Sequence, residues 1–168
     1  MKLPATLATA TAIALLLGAA ALADGNLSYL SQNGDLNAAL IDQSAGDGNH
    51  AGAASLAVRQ NGRQNRLGFE QLGDGNEIGT GSGGFLQQSN RNTATITQSS
   101  NSNKVIEVFQ SGMTSAAGGE ELRRNTLSIT QQGGNGNVIE TVVQKRTRSA
   151  LDIFGLTDGQ SGNEATIV

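Results

Sequence analysis

The 168-residue sequence contains no cysteine, and its single proline is Pro4. Without cysteine the chain can form neither a disulfide nor a thiolate metal site. Because proline interrupts backbone hydrogen-bond ladders, the chain after Pro4 can form extended strands without a break. Both absences are compatible with a fold whose order depends on backbone hydrogen bonds.

Large apolar residues are scarce as well. Leu, Ile, Val and Phe number 38, of which 31 lie among the 145 residues that follow residue 23. A share of about one in five approaches the level below which chains tend to be disordered, so a conventional core would be thin. Asn and Gln number 28, and ladders of their amides are the obvious additional source of stability.

Positive charge is in deficit. The sequence holds 11 Lys and Arg against 14 Asp and Glu. Removing Lys2 together with the first 23 residues leaves 10 against 14, a net charge of −4. Proteins that bind nucleic acid neutralise phosphates with Lys and Arg, so the charge balance gives no reason to expect a nucleic-acid partner.

Chemistry-bearing residues do not form recognisable constellations. His50 is the only histidine, and without partners it is interpreted as a solvated loop residue rather than a metal ligand. Glu120 and Glu121 are adjacent on a predicted loop, which is not the arrangement of an acid/base pair. Residues 46–49 and 74–76 faintly resemble calcium-binding coil repeats, but their Asp does not recur with the required period. The sequence therefore predicts no enzyme, cofactor or metal.

The first 23 residues have the features of a secretory signal peptide. Lys2 provides a positive start, residues 12–21 are apolar, and Ala21-Leu22-Ala23 is a small-residue cleavage site. The apolar run is too short to span a membrane as a helix. We therefore expect residues 1–23 to be removed and residues 24–168 to be an exported domain.

One heptad, Asn92-Thr-Ala94-Thr-Ile96-Thr-Gln98, recurs along the chain. Small or apolar residues alternate with polar ones, which is typical of a strand with one buried face, and an amide stands at each end of that face. A relaxed copy at 54–60 lacks only the Asn, and a last copy from Asn163 lacks the Gln. Further copies begin at Asn26, Asn37, Asn65 and Asn125.

A spacer, Gln-x-Gly-x-x-Asn, separates the heptads. Its Gly, Asn, Asp and Ser residues are those that form tight turns, and Gly or Asn can adopt positive φ. Ser89 and Ser100 take the place of the glycine in two copies. Strand and turn together have a period of 11 residues. The predicted turn glycines are Gly34, Gly62, Gly73 and Gly134.

The repeat predicts an all-β fold, a β-solenoid of about five strand-turn-strand rungs that form two stacked parallel sheets. Irregular insertions are predicted at about 44–53, 113–124 and 145–161. The predicted rungs pair 26–32 with 37–43, 54–60 with 65–71, 81–88 with 92–98, 103–110 with 125–131, and 137–144 with 163–168.

In this arrangement Asn stacks on Asn and Gln on Gln, so each side-chain amide can donate to one neighbour and accept from the other. A buried amide is costly only when it is unpaired. The predicted ladder residues are Asn26, Gln32, Asn37, Gln43, Gln60, Asn65, Gln71, Gln87, Asn92, Gln98, Asn103, Gln110, Asn125, Gln131, Asn137, Gln144 and Asn163.

The segments Gln32-x-Gly34-x-x-Asn37-x5-Gln43 and Gln60-x-Gly62-x-x-Asn65-x5-Gln71 resemble the repeat of curlins. These are the secreted subunits of bacterial curli, the functional amyloid fibres of the biofilm matrix. The resemblance implies a major or a minor, nucleating subunit that assembles with itself and other curlin subunits. It also implies a periplasmic chaperone, an outer-membrane secretion pore and a place in an extracellular, cell-surface fibre for adhesion.

The predicted solenoid has two open ends, each with unpaired backbone groups and unpaired amides. Most proteins protect such edges, whereas here we expect one copy to template the next, head to tail. The alternative is an exported β-solenoid that does not polymerise and binds a surface or a ligand.

Overall fold

A computed structural model describes residues 25–111, 125–145 and 164–168. The signal-peptide prediction, the insertion at 113–124 and Asn163 lie outside these residues, as does the insertion at 145–161 except for Lys145. Every regular element in the described ranges is a β-strand. They contain no helix, and so none long and apolar enough to cross a membrane.

The strands form two parallel sheets, which confirms the prediction of an all-β fold with two parallel sheets. Sheet A contains β1 (Leu27–Ser28), β2 (Leu30–Asn33), β4 (His50–Ala51), β5 (Val58–Asn61), β7 (Glu77–Ile78), β8 (Phe85–Gln88), β10 (Lys104–Ser111) and β12 (Val138–Lys145). Sheet B contains β3 (Ala38–Asp42), β6 (Arg66–Gln71), β9 (Thr93–Gln98), β11 (Thr126–Gln131) and β13 (Glu164–Ile167).

The chain alternates between the two sheets, and each passage pairs with the previous passage through the same sheet. We call one passage through sheet A and the following passage through sheet B a tier. Tier 1 contains β1 to β3, tier 2 contains β4 to β6, and tier 3 contains β7 to β9. Tier 4 contains β10 and β11, and tier 5 contains β12 and β13. Equivalent positions of the heptad lie opposite one another, as Gln71, Gln98 and Gln131 do in sheet B.

The apolar positions of the heptads from both sheets meet in one core. Phe69 of sheet B contacts Phe85 of sheet A edge to face, with ring centroids 5.0 Å apart. Each fully buried large apolar side chain contributes about 1.5–3 kcal/mol. The buried apolar residues are Ala51, Val58, Leu67, Phe69, Ile78, Phe85, Ala94, Ile96, Val105, Val108, Leu127, Ile129 and Val142.

Two predicted strands of sheet A are wrong in their first halves. In place of a strand at 54–60, tier 2 enters sheet A at β4, leaves it at Gly52 and returns at Val58. In place of a strand at 81–88, tier 3 enters at β7, leaves at Gly79 and returns at Phe85. The alternation of Ala54, Leu56 and Val58 imitates a strand, but Gly52 and Gly79 have φ of 75° and 67° and turn the chain out of the sheet.

The region 44–53, predicted as an irregular insertion, contains one extra turn residue before Asn49 and then the strand β4. The longer excursion from sheet A follows at 52–57, and an equivalent excursion that was not predicted lies at 79–84. The sequence predicts His50 to be a solvated loop residue, but it belongs to β4 and lies opposite Leu27 and Glu77. Its backbone amide donates to the carbonyl of Asn76 at 2.8 Å.

All insertions into sheet A fall at one point of the heptad, between its two apolar positions. In tier 4 the buried Val105 and Val108 are three residues apart instead of two, which is a one-residue bulge. Tier 5 has the same spacing between Ile139 and Val142, and its register with tier 4 is constant. Extra residues can bulge outward here without moving the amides at either end of the strand.

Candidate functional site

The side-chain amides form columns that run through the tiers. All the predicted ladder residues except Asn163 lie in the described ranges and belong to these columns. In sheet A the columns are Asn26, Asn49, Asn76, Asn103, Asn137 and Gln32, Gln60, Gln87, Gln110, Gln144. In sheet B they are Asn37, Asn65, Asn92, Asn125 and Gln43, Gln71, Gln98, Gln131.

The glutamine columns are continuous hydrogen-bond ladders. In sheet A, each Nε2 donates to the Oε1 of the next tier, at distances of 2.5, 2.9, 2.9 and 2.7 Å from Gln32 to Gln144. In sheet B the distances are 2.8, 2.9 and 2.8 Å from Gln43 to Gln131. Every donor points toward the tier that is later in the sequence, so the ladder has a direction.

The second hydrogen of each buried glutamine amide forms a hydrogen bond across the core to the opposite sheet. Gln87 Nε2 also donates to the carbonyl of Arg66 at 3.0 Å, and Gln110 Nε2 donates to that of Thr93 at 3.1 Å. These bonds join sheet A to the backbone of sheet B. The ladder also sets the register, because a tier displaced along the strand would leave buried amides unpaired at about 1–3 kcal/mol each.

The asparagine columns use the backbone as donor. The backbone N–H of Asn76 donates to Asn49 Oδ1 at 2.9 Å, and that of Asn103 donates to Asn76 Oδ1 at 2.9 Å. The Nδ2 groups bond mainly to carbonyls of the turns, as Asn65 Nδ2 does to Ser89 O at 2.8 Å. The Oδ1 atoms therefore hold the strand entries of successive tiers together.

Asn49 and Asn76 are fully buried ladder members that the sequence analysis missed. The signal was present, because Asn76 ends a complete spacer that begins at Gln71, and both residues end an Asp-Gly-Asn triplet. Asn49 follows Gln43 by one residue more than the spacer allows, which concealed it. Within the described residues, the Nδ2 atoms of Asn49 and Asn76 and the Oδ1 atom of Asn125 have no hydrogen-bond partner.

Eight of the nine described ladder asparagines follow a residue with positive φ. The ninth, Asn125, follows a residue outside the described ranges. The left-handed residue turns the chain into the strand, and it is glycine at four of the eight positions, where the conformation costs least. These residues are Gly25, Leu36, Gly48, Gln64, Gly75, Arg91, Ser102 and Gly136.

Three of the four predicted turn glycines are required by close contact between tiers. A Cβ at Gly34 would overlap the carbonyl of Gly62, and a Cβ at Gly62 would overlap that of Ser89. A Cβ at Gly73 would lie 2.6 Å from the carbonyl oxygen of Ser100. Gly134 is different, because no atom lies within 4 Å of its Cβ position.

Gly62→Ala is expected to lower the free energy of unfolding by at least about 2 kcal/mol, because φ is 132° and the methyl group meets backbone. Gly134→Ala is the matched control and is expected to change it by less than about 0.5 kcal/mol. Urea unfolding followed by circular dichroism measures both. Equal losses in the two variants would show that tier contact is not the cause.

An ion pair joins tiers 3 and 4 on the outer face of sheet A. Lys104 Nζ lies 2.9 Å from Glu77 Oε1, and the Thr80 hydroxyl donates to Glu77 Oε2 at 2.8 Å. Partial burial works to raise the pKa of Glu77, but the hydrogen bonds from Lys104 and Thr80 and the charges of Lys104 and His50 outweigh it. The pKa of Glu77 therefore lies below its ordinary value.

Glu77→Gln is expected to lower the free energy of unfolding at pH 7 by about 0.5–1 kcal/mol, since the pair is partly exposed. Because the folded pKa is lowered, this contribution is present above the unfolded pKa of about 4.3 and is lost as pH falls through the folded value. Urea midpoints at pH 7 and pH 3 measure it. A difference that is as large at pH 3 would contradict the assignment.

The described residues contain no group of three or more His, Cys, Asp or Glu side chains that could hold a metal ion. Their buried polar side chains are the ladder amides. Comparison of the chain with protein-family models, with curated proteins and with solved structures gives no match. The features of the described residues that can carry a function are therefore the ladders and their ends.

Proposed function

We propose that this chain is a secreted structural subunit, a β-solenoid that stacks head to tail on further copies to form an extracellular amyloid fibre of the curlin kind. The observation that carries the proposal is the state of the core columns at the end of the stack. Leu30 of tier 1 is 37% exposed, whereas Val58 and Phe85, which follow it in the same column, are 0% exposed. A further tier on this edge would bury Leu30 in the same way.

Exposed apolar side chains are concentrated in the end tiers. Of the eight large apolar residues that are exposed among those described, only Leu72 lies between them. Leu30 lies in a core column, whereas the others lie at outward or turn positions of the end tiers. A further tier would bury Leu30 and cover the others in part, which would favour association. Tier 1 contributes Leu27, Leu30, Leu36 and Leu40, and tier 5 contributes Val138, Val143 and Val168.

The two ends are complementary to each other. The inward residues of tier 5 in sheet B are Ala165 and Ile167, and the same two types, Ala39 and Ile41, occupy these columns in tier 1. The direction of the glutamine ladder lets Gln144 Nε2 donate to Gln32 Oε1 of a second copy. Stacking two tier 5 ends would place donors against donors, and stacking two tier 1 ends would place acceptors against acceptors. The ladder therefore favours head-to-tail addition, which does not close and so propagates.

Export and placement at the cell surface follow from the resemblance to curlins and form part of the proposal. The subunit would pass a periplasmic chaperone and an outer-membrane secretion pore, and it would polymerise with itself or with other curlin subunits. Its role would be structural, in adhesion and biofilm matrix. The repeat of about 4.8 Å between tiers would continue through every junction between copies.

The test uses purified protein that is denatured, diluted and followed by thioflavin fluorescence. The proposal expects a lag phase, abolition of the lag by preformed fibres, and a meridional fibre reflection at about 4.8 Å. Protein that remains monomeric for days at high concentration, with or without seeds, would favour the non-polymerising solenoid instead.

A further inference from the structure

The outer face of sheet B carries a regular array of hydroxyl groups in tiers 3 and 4. Each of the three outward positions of β9 and of β11 is Thr or Ser, whereas the inward positions are apolar or amide. The register pairs these outward residues one to one across the two strands. The array contains Thr93, Thr95, Thr97, Thr126, Ser128 and Thr130.

The positions of these hydroxyls repeat in two directions. Outward residues are every second residue of a strand and lie about 6.6–6.8 Å apart, and neighbouring strands are about 4.8 Å apart. Thr166 of β13 lies opposite Ser128 and extends the central column into tier 5. Both strands lie inside the sheet, between β6 and β13, so the array is held by hydrogen-bonded neighbours on both sides.

The hydroxyls are available to a partner. All six residues are exposed or half-buried. Of the six, only Thr97 has a side-chain partner in the described part of the chain, a 3.5 Å contact with Glu70 Oε2. Thr side chains have restricted χ1 rotation. They therefore lose little conformational entropy when the face binds an ordered partner.

The chemistry of the face restricts the class of partner. None of the six positions is charged. Charged residues occupy only the flanking strands, Arg66 and Glu70 on β6 and Glu164 on β13, so the array itself offers an ionic partner no charge. Aromatic and arginine side chains, which anchor most protein interfaces, are absent from the array. An uncharged lattice that offers and accepts hydrogen bonds at fixed spacing is the complementary partner.

We propose that the hydroxyl face of β9 and β11 binds the surface of ice. Water oxygens in ice repeat in two perpendicular directions at distances close to those of the array. Water molecules held by the Thr hydroxyls would occupy lattice positions and join the protein to the crystal, as bridging waters join partners in other interfaces. The methyl groups between them would contact the gaps of the lattice.

Strand propensity alone does not account for the array. Val, Ile, Tyr and Phe favour strands as strongly as Thr does, and the outer face of sheet A includes Leu86, Phe109 and Val143. A sheet that needed only strand-forming residues would mix these types on both faces. On β9 and β11, all six outward positions bear a hydroxyl.

The test is the inhibition of ice recrystallisation by freshly diluted, soluble protein, with ice shaping in a nanolitre osmometer as a second measurement. Wild-type protein is expected to arrest grain growth and facet single crystals. Thr95→Tyr with Ser128→Tyr is expected to raise the concentration needed by about tenfold or more, because it interrupts the centre of the face. Thr95→Lys provides a second disruption with different chemistry.

The matched control is Ser31→Tyr with Gln88→Tyr, which places the same side chains at exposed positions on sheet A. It is expected to retain wild-type activity, and circular dichroism establishes that all variants are folded. Wild-type protein without ice activity would overturn the proposal, as would folded Thr95 and Ser128 variants that keep it. Adsorption to crystalline cellulose without any effect on ice would overturn it too. Each readout is independent of fibre growth, so failure here leaves the assembly proposal unaffected.

Discussion

Gln87→Ala is expected to lower the free energy of unfolding by about 3–5 kcal/mol, a large part of the stability of a domain of this size. Gln87 is fully buried, and its side-chain amide forms three hydrogen bonds. It accepts from Gln60 Nε2 at 2.9 Å and donates to Gln110 Oε1 at 2.9 Å and to the carbonyl of Arg66 at 3.0 Å. Truncation removes one hydrogen-bond partner from each of these three groups and leaves a cavity in the core.

The control is the adjacent residue, because Gln88 points outward from the same strand and is exposed. Gln88→Ala is expected to change the free energy of unfolding by less than about 0.5 kcal/mol. Urea unfolding of freshly diluted protein, followed by far-UV circular dichroism, measures both variants. A loss of similar size in the two would mean that the ladder adds nothing beyond the β-propensity of glutamine.

Gln87→Glu gives the same site a pH dependence. Burial raises the pKa of a carboxyl above its unfolded value of about 4.3. Below that pH the introduced carboxyl is neutral in both the folded and the unfolded state, and the variant folds. As pH rises, the carboxyl ionises in the unfolded state, and the free energy of unfolding falls. We expect the variant to approach wild-type stability at pH 3 and to unfold near neutrality. A pH-independent loss would contradict the burial of the ladder.

The second large effect concerns growth. Leu30→Pro with Ala39→Pro is expected to weaken polymerisation strongly while leaving the subunit folded. Ala38 N–H donates to Asn65 O, and Tyr29 N–H donates to Ala51 O, both toward tier 2. Since successive residues of a strand direct their N–H groups to opposite edges, those of residues 30 and 39 face the edge that has no neighbouring strand among the described residues. Proline there removes two donors needed only by an incoming copy.

Two carbonyls left unpaired at the junction would cost at least about 2 kcal/mol, or about thirtyfold in the affinity of one copy for the next. Leu30→Val with Ala39→Val keeps both N–H groups and is expected to polymerise. Seeded thioflavin kinetics measure the two pairs. Because the proline variant keeps its tier 5, small amounts should also cap one end of wild-type fibres. Wild-type growth by the proline pair would mean that this edge is not the site of addition.

Much of this architecture could be predicted from the sequence, because its signals are local. The heptad at 92–98 specifies a strand with amides at both ends of its buried face, and β9 occupies it. The spacer from Gln60 to Asn65 specifies a tight turn whose glycine has positive φ. Regular repetition of the two motifs then gives parallel stacking in register, which the pairing of β6, β9 and β11 follows.

The course of tiers 2 and 3 through sheet A could not be predicted in this way. Residues 54–60 have the alternation of a strand, yet only Val58–Asn61 pairs with β2. The competing signal is the position of Asn49 opposite Asn26, a relation between residues in different tiers. A pattern read within one heptad cannot weigh the cost of leaving a buried amide in another tier unpaired.

The amino-acid sequence by itself therefore determined the all-β fold, the two parallel sheets and most members of the amide columns, since period and turn chemistry act within about a dozen residues. Only the tertiary structure decided the direction of the glutamine ladder, the membership of Asn49 and Asn76, and the alignment of Thr95 with Ser128. These depend on which tiers lie against each other, because the hydrogen bonds and spacings concerned join residues more than twenty positions apart.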